Sequence, residues 1–342
     1  MLDAKLLNQI LDSSAKGVTG LVLGVSRGAE GFCEARGNFG RDSQFFIASA
    51  TKLFTTALVL QLVDKKKLNL DDKISQHLPQ AIVDGLHVFK GHDSSKQITI
   101  ENLLCHNSGL PDYFQAQRPG GKSLMTEVLA GRDQKWDLEW VVEDSKKIGA
   151  QFLPNSGKAL YSDTNFQLLG RIIENGFRDS FSNLIQKQIC EKINLHKTYL
   201  YSDPSDTRPI GLNYKQKILN IPRAMTSFGS DGGIVSTATE CLDFLKGFFE
   251  GKLFDPSHIE NITHDWRKIF FPLQYGIGIS LFRLPWFFSP FKRVPDLVGH
   301  SGLSGAFLFF CPEKKVYLAG TTNEISKPQA SFRLMVSTLQ KI

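Results

Sequence analysis

A run of apolar residues from Leu53 to Val63 is the feature that most constrains how this chain folds. Helical spacing distributes its apolar side chains over nearly all sides of a helix, and a helix of that kind lies in the interior of a large protein. Ser49 and Lys52 stand just before the run. The pattern therefore predicts a central, buried helix over residues 49–64 with a hydroxyl and an amine in its first turn.

The Ser49 and Lys52 side chains share a helix face, because residues three apart have Cβ atoms about 5–6 Å apart. Burial and the positive end of the helix dipole both oppose the charged form of a lysine here, which predicts a neutral amine. Such an amine can accept the proton of Ser49 and make its oxygen a nucleophile. The alternative interpretation is a helix-capping serine beside a lysine that extends to solvent.

The Ser-x-x-Lys spacing occurs three times, and its surroundings separate the copies. Ser13 and Lys16 lie near the end of an amphipathic N-terminal helix, where both residue types are ordinary. Ser289 is followed by Pro290, which leaves no room for a buried helix. Only the copy at Ser49 precedes a segment that must be buried.

The distribution of helix and strand patterns predicts an α+β fold in one catalytic domain over residues 1–342. Strand patterns cover 18–26 and 30–39 near one end of the chain and 275–282, 306–311 and 316–322 near the other. Helical patterns predominate between them. We therefore expect a sheet built from both chain ends, in an α/β region formed by 1–79 and 201–342. A helical subdomain over about 80–200 is inserted into it.

Composition and residue spacing argue against nucleic-acid binding and against a metal or cofactor site. The 342 residues are 42% hydrophobic and 22% charged, and the Lys and Arg residues behind the net charge of +6 are scattered, so no nucleic-acid surface is predicted. The five cysteines form no C-x-x-C pair, and His87, His92 and Asp93 lack metal-ligand spacing, so we predict neither a metal nor a cofactor.

The same composition bears on location. No segment approaches the roughly 20 apolar residues of a transmembrane helix, and no signal peptide is visible. The sequence as it stands predicts a cytoplasmic protein, or a periplasmic or secreted one whose native leader has been removed. It leaves the oligomeric state open.

Two further segments carry residues suited to catalysis. Tyr161 stands on a loop just before a helix, where a phenol beside a lysine can relay a proton; a packed aromatic is the alternative interpretation. Gly299-His300-Ser301-Gly302 leads into an apolar strand. Glycines at a strand edge let a substrate lie against the backbone, whose N–H groups can stabilise an oxyanion. A histidine with a purely structural role is the alternative for His300.

These segments, in this order, resemble the serine beta-lactamase and penicillin-binding DD-peptidase superfamily, in particular its class C-like branch. The resemblance covers most of the chain, and it implies a beta-lactamase/DD-peptidase-like fold with an antiparallel sheet flanked by helices beside an all-helical region. It is carried by Phe46-Ile47-Ala48-Ser49-Ala50-Thr51-Lys52, Leu103-Leu104-Cys105-His106-Asn107-Ser108-Gly109-Leu110, Tyr161-Ser162-Asp163, Asp231-Gly232-Gly233, Tyr275-Gly276-Ile277-Gly278 and His300-Ser301-Gly302.

The resemblance implies a metal-free serine hydrolase that forms an acyl-enzyme on an amide or ester carbonyl. Ser49 is then the nucleophile, Lys52 and Tyr161 move protons, and the backbone N–H groups of Ser49 and Leu303 stabilise the oxyanion. It also implies contacts to a small-molecule or short-peptide substrate from Asp163, His300, Ser301, Gly302 and Leu303.

The chain departs from the family pattern at two positions. Asp163 replaces an asparagine whose amide can donate to a substrate carbonyl; a carboxylate can only accept, and it can pair with Lys52 or with a substrate amine. If it pairs with Lys52, it favours the ammonium form, and proton abstraction then depends on Tyr161. His300 replaces a lysine, which weakens attraction to a substrate carboxylate near neutral pH.

The two departures favour a peptidase for D-amino-acid peptides or a carboxylic esterase. A beta-lactamase proper, or a non-catalytic penicillin-recognising sensor, remains as the alternative.

Five aromatic residues lie close together in the sequence before His300: Phe282, Trp286, Phe287, Phe288 and Phe291. Buried packing is the default interpretation, and an exposed apolar rim beside the site is the alternative.

Overall fold

An antiparallel sheet joins the two ends of the chain in the computed structural model, which describes residues 2–286 and 293–342. Within those ranges, the sheet has eight strands: β1 (Gly20–Arg27), β2 (Glu30–Gly37), β3 (Arg267–Phe270), β4 (Leu273–Tyr275), β5 (Ser280–Phe282), β6 (Leu297–Ser301), β7 (Ala306–Cys311) and β8 (Val316–Thr321). Their order is β3-β4-β5-β6-β7-β8-β1-β2, with every neighbouring pair antiparallel. The prediction of a sheet built from both chain ends is confirmed.

Helices cover both faces of the sheet. The longer ones are α1 (Ala4–Ser14), α2 (Thr51–Asp64), α3 (Leu138–Ile148), α4 (Asp163–Phe177), α5 (Ala238–Phe249) and α6 (Pro328–Leu339). Alternation along β1 sends Leu21 and Leu23 into a core shared with α1 and α6, while Val22 joins the core that contains α2, α4 and α5. The predicted α+β class is confirmed.

Short elements complete the fold. Within residues 2–286 and 293–342, the shorter helical segments include Ala48–Ala50, Ile74–Gln76, Gln80–Val83, Ser95–Gln97, Ile100–Leu104, Leu124–Leu129, Phe181–Leu184, Ile185–Cys190, Glu191–Ile193, Pro222–Met225, Gly229–Gly232 and His258–Ile262. A three-stranded sheet contains Phe45–Phe46, Ile234–Ser236 and Tyr199–Leu200, and two small hairpins pair Val88–Phe89 with His92–Asp93 and Asn213–Tyr214 with Lys217–Ile218.

Helix α2 is the buried centre that the sequence predicts. Every residue from 51 to 62 is buried, and the Phe54 ring stacks on Phe244 of α5 with ring centroids 3.6 Å apart. The predicted helix start at residue 49 is corrected, because residues 48–50 form a separate 3₁₀ turn and the α-helix begins at Thr51.

The predicted single strand over 275–282 is wrong. Residues 273–282 form a hairpin in which β4 pairs with β5. Gly278 turns the chain at φ +71°, and a Cβ atom there would lie 2.2 Å from Thr56 Oγ1, so the turn needs glycine. Its carbonyl accepts a hydrogen bond from the Thr56 hydroxyl at 2.8 Å, which holds the hairpin against α2.

The aromatic run divides between interior and surface. Phe282 is buried, whereas Trp286 is 75% exposed. Phe287, Phe288 and Phe291 lie outside the described residues, as do Ser289 and Lys292 of the third Ser-x-x-Lys copy. Across 2–286 and 293–342, no helix has the length and apolar character needed to cross a membrane.

The packing of α2 against α5 gives a stability prediction. We expect Phe54→Ala to lower the free energy of unfolding by about 3–5 kcal/mol, because it leaves a cavity where two stacked rings meet. Urea denaturation followed by circular dichroism measures the change. As the control, Ile218→Ala removes a side chain that is 71% exposed, and we expect a change within about 0.5 kcal/mol. Equal losses in the two variants would contradict the central position of α2.

Candidate active site

A tight turn presents Ser49 at the start of α2. Residues 48–50 form a 3₁₀ turn in which Ala48 adopts a left-handed φ of +47°, and the preceding Ile47 N–H donates to the Ile234 carbonyl at 3.0 Å. A Cβ atom on Gly302 would lie 2.4 Å from the Ile47 carbonyl oxygen. Glycine at 302 therefore lets the end of β6 approach the Ser49 turn closely.

Lys52 is completely buried and carries an ion pair. Its Nζ donates to Asp163 Oδ1 at 2.7 Å and to the Asp231 carbonyl oxygen at 2.7 Å. Burial opposes the charge most strongly, but the negative charges of Asp163 and Asp231 and the Asp163 hydrogen bond outweigh it, so the pKa of Lys52 is raised above its ordinary value. The prediction that the Lys52 amine is neutral is wrong, because the carboxylate of Asp163, which is distant in the sequence, stabilises the ammonium form.

The Lys52 ammonium acts on its neighbours by charge. Its Nζ lies 5.0 Å from the centroid of the Tyr161 ring, and within the described residues no hydrogen bond joins it to Ser49. A protonated lysine has no lone pair with which to accept the Ser49 proton. Lys52 is therefore placed to stabilise negative charge that develops on Tyr161 or Ser49.

His106 positions Tyr161. The Ser162 N–H donates to His106 Nδ1 at 3.1 Å, the Leu160 N–H donates to the His106 carbonyl at 2.8 Å, and the Tyr161 and His106 rings pack with centroids 4.6 Å apart. These bonds flank Tyr161 on both sides. His106, which the sequence placed in a family segment, thus fixes the backbone that carries the phenol.

Tyr161 is a neutral phenol beside the Ser49 hydroxyl. Burial raises the pKa of Tyr161 well above its ordinary value, the negative charge of Asp163 adds to this, and the nearby Ser49 side chain acts in the opposite direction. The side chains of Ser49 and Tyr161 line the same pocket. The Tyr161 ring also faces the Lys52 ammonium.

His300 is buried and uses both ring nitrogens. Nδ1 lies 2.7 Å from the Ser301 carbonyl, which can only accept, so Nδ1 carries the proton and Nε2 accepts from the Tyr275 hydroxyl at 3.0 Å. Burial and then the Lys52 charge lower the pKa of His300 to about 3. The ring is neutral at physiological pH and offers no cation to a substrate.

Several buried polar groups around the Lys52–Asp163 ion pair were not predicted from the sequence. Asp231 Oδ2 accepts from the Tyr113 hydroxyl at 2.9 Å and from Gln167 Nε2 at 3.0 Å. Burial and then the charge of Asp163 raise the pKa of Asp112 to about 8, and the same causes raise that of Asp231 well above its usual range. Only Asp231 stood in a segment that the sequence singled out, and that segment carried no indication of a carboxyl cluster.

Ser49 lies between two pockets. The tyrosine pocket, about 140 Å³, is lined by Ser49, Gln115, Tyr161, Ile269, Phe270, Leu273, Tyr275, Ser280, His300, Ser301, Gly302, Leu303, Pro328, Ser331 and Phe332. The aspartate pocket, about 80 Å³, is lined by Ala48, Ser49, Phe114, Gln115, Val128, Leu129, Asp163, Leu212, Leu219, Ile221, Met225, Phe228, Asp231, Gly232, Leu303, Ser304 and Ile325. A substrate whose carbonyl reaches Ser49 can therefore extend to both sides.

The predicted oxyanion donors lie at the same junction. Leu303 lines both pockets, and its N–H donates no hydrogen bond within residues 2–286 and 293–342. Ser49 sits in the first turn that leads into α2, where backbone N–H groups lack helical partners. In the described part of the chain, no group of three or more His, Cys, Asp or Glu side chains is arranged to hold a metal ion.

Comparison with known proteins gives the family. The Beta-lactamase family model matches residues 6–333, so this chain belongs to the beta-lactamase family. The chain is 24% identical over 242 residues to the teichoic acid D-alanine hydrolase of Staphylococcus aureus, an alignment that covers 69% of this chain and 54% of the relative. It thus spans about half the length of the curated relatives that it matches.

Solved structures share the fold. The D-amino acid amidase of Ochrobactrum anthropi SV3 superposes with a TM-score of 0.81 at 22% identity, covering 98% of this chain and 100% of the amidase. A D-stereospecific amidohydrolase from Streptomyces sp. gives a TM-score of 0.78 at 23% identity, covering 96% and 97%. The predicted beta-lactamase and DD-peptidase fold is confirmed.

The buried histidines give a prediction that is independent of turnover. Burial lowers the pKa of His106 well below its ordinary value and that of His300 to about 3, so both rings stay neutral as the pH falls from 8 to 5. We expect their ring C–H signals to keep constant shifts in ¹H–¹³C NMR spectra over this range. The signals are assigned from His106→Asn and His300→Asn variants. A titration of either signal with a midpoint near 6.5 would contradict the proposed tautomer and hydrogen bonds.

Proposed function

We propose that this protein is a serine hydrolase that forms an acyl-enzyme on Ser49 and cleaves amide or ester carbonyls. The observation that carries the proposal is that Ser49 and Tyr161 line one pocket, with the Tyr161 ring 5.0 Å from Nζ of Lys52 in the Lys52–Asp163 ion pair. A nucleophile, a proton carrier and a fixed positive charge are the parts that acyl transfer requires.

Tyr161 acts as the proton shuttle. As Ser49 Oγ bonds to the substrate carbonyl carbon, its proton passes to the Tyr161 oxygen, and Tyr161 gives its own proton to the leaving nitrogen or oxygen as that bond breaks. Tyr161 begins and ends as a phenol, which agrees with its raised pKa. Water then attacks the acyl-enzyme by the same path in reverse.

Lys52 and the backbone stabilise the charge that develops. The Lys52 ammonium lies 5.0 Å from the Tyr161 ring centroid and favours phenolate character during the transfer. The N–H groups of Ser49 and Leu303 bind the oxyanion. We thus assign Lys52 an electrostatic role in place of the proton acceptor that the sequence suggested.

The charges of the residues that line the tyrosine pocket indicate which substrates suit it. Among the described residues, neither Lys nor Arg lines the tyrosine pocket, and His300 there is neutral. A carboxylate beside the scissile bond, as in beta-lactams and in the D-Ala-D-Ala peptide end, finds no cation there. Together with the amidase and D-alanine hydrolase relatives, this favours D-aminoacyl amides or esters without such a carboxylate.

Replacement of the nucleophile tests the proposal. We expect Ser49→Ala to lower kcat/KM for D-alanine esters and amides by about 10⁴-fold or more, because no other group can form the acyl-enzyme. Release of D-alanine is measured by chromatography, and circular dichroism confirms that the variant folds.

Ser13→Ala is the matched control, since it removes the serine of another Ser-x-x-Lys copy within α1. We expect its turnover to equal that of the wild type. Retained activity in Ser49→Ala, or an equal loss in both variants, would refute the assignment.

A further inference from the structure

The two pockets divide a bound substrate at the carbonyl that Ser49 attacks. Among the described residues, Tyr161 lines the tyrosine pocket but not the aspartate pocket, and Asp163 the reverse. Because Tyr161 protonates the leaving group in the proposed reaction, the leaving group lies in the tyrosine pocket. The acyl half of the substrate therefore lies in the aspartate pocket.

Asp163 has an oxygen available in that pocket. Its Oδ1 accepts from Lys52 Nζ at 2.7 Å, whereas its Oδ2 accepts no hydrogen bond from residues 2–286 or 293–342. The side chain keeps 8% of its surface exposed. A carboxylate oxygen can only accept, so the ligand group that suits it is a donor, and a cationic donor gives the stronger bond.

Asp231 supplies an independent observation at the same pocket. The residue is 1% exposed, and its Oδ1 is buried without a hydrogen-bond partner in the described part of the chain. Buried polar atoms are rarely left in this state, because an unpaired one destabilises the fold. The rest of the pocket wall is mainly apolar, including Phe114, Met225 and Phe228, and a low dielectric strengthens a charge-assisted bond.

We propose that the aspartate pocket binds the protonated amino group of an aminoacyl substrate through Asp163, with Asp231 as the second carboxyl group. The inference rests on the proposed function and names its substrate class: an acyl group with a free ammonium next to the scissile carbonyl. An N-acylated amino group loses the charge that Asp163 attracts. The asparagine that Asp163 replaces in the family pattern could donate to such an acyl oxygen, whereas a carboxylate cannot.

The surrounding charges agree with a cationic ligand. The negative charge of Asp163 is among the causes that raise the pKa of Asp112 to about 8 and that of Asp231 well above its usual range. Lys52 is the cation already present, and it faces these three carboxyl groups. A second cation in the pocket offsets the mutual repulsion of the carboxylates and favours their ionised forms.

Substrate preference tests the proposal. We compare kcat/KM for D-alanine methyl ester and N-acetyl-D-alanine methyl ester, measured by acid release in a pH-stat, in the wild type and in Asp163→Asn. We expect the ratio of the free amine over the acetylated ester to fall by about tenfold or more in the variant, mainly through a higher KM for the free amine. Asp179→Asn removes a surface carboxylate that pairs with Lys187 at 2.8 Å, and it should leave the ratio unchanged.

Equal slowing of both esters in Asp163→Asn would overturn the proposal, because Asp163 would then act only through Lys52. A binding measurement separates this result from failure of the hydrolase assignment. In Ser49→Ala, calorimetry should show D-alaninamide binding more tightly than N-acetyl-D-alaninamide, and adding Asp163→Asn should remove the difference. Equal affinities in Ser49→Ala would refute the ammonium subsite even if no ester is hydrolysed.

Discussion

The buried ion pair between Lys52 and Asp163 is the interaction on which the site depends. Lys52 lies in the first turn of α2 and Asp163 is the first residue of α4, so their 2.7 Å contact fixes the start of one helix against the start of the other. The Ser49 turn immediately precedes α2, and Tyr161 stands two residues before Asp163. Removing one member of such a pair leaves an uncompensated buried charge, at a cost of about 3–5 kcal/mol.

The ion pair also decides which residues can move protons. With Lys52 held as an ammonium, the proposed carrier for the proton of Ser49 is Tyr161 in the same pocket, and a phenol with a raised pKa must pass a proton on as it accepts one. The neutral His300 gives the same pocket no charge for a substrate carboxylate. On the proposed mechanism, a beta-lactamase fold thus carries a site suited to a substrate with a cationic acyl group and not to one with an anionic leaving group.

The sequence predicted the architecture because its strongest patterns are local. All-round apolar spacing identified α2, strand alternation at the two chain ends identified the sheet, and motif order placed Ser49 and Tyr161. The error at 275–282 arose because a hairpin around Gly278 looks apolar throughout, and its turn is dictated by contact with Thr56 on a distant helix.

The charge states of the site residues could not be predicted from local sequence patterns. Whether Lys52 is charged depends on Asp163 and on the carbonyl of Asp231, which are 111 and 179 positions away in sequence. The sequence analysis stated the consequence of an Asp163–Lys52 pair but could not show that the pair forms. The unpaired Oδ1 of Asp231 likewise appears only once the helices pack.

Labelling with a fluorophosphonate tests the central claim most directly, because the probe reports which hydroxyl is nucleophilic and how fast its proton is carried away. Intact mass and peptide mapping should show one adduct, on Ser49, that forms about 10²-fold more slowly in Tyr161→Phe. An adduct on another serine, or an unchanged labelling rate in Tyr161→Phe, would contradict the account of Ser49 as a nucleophile served by Tyr161.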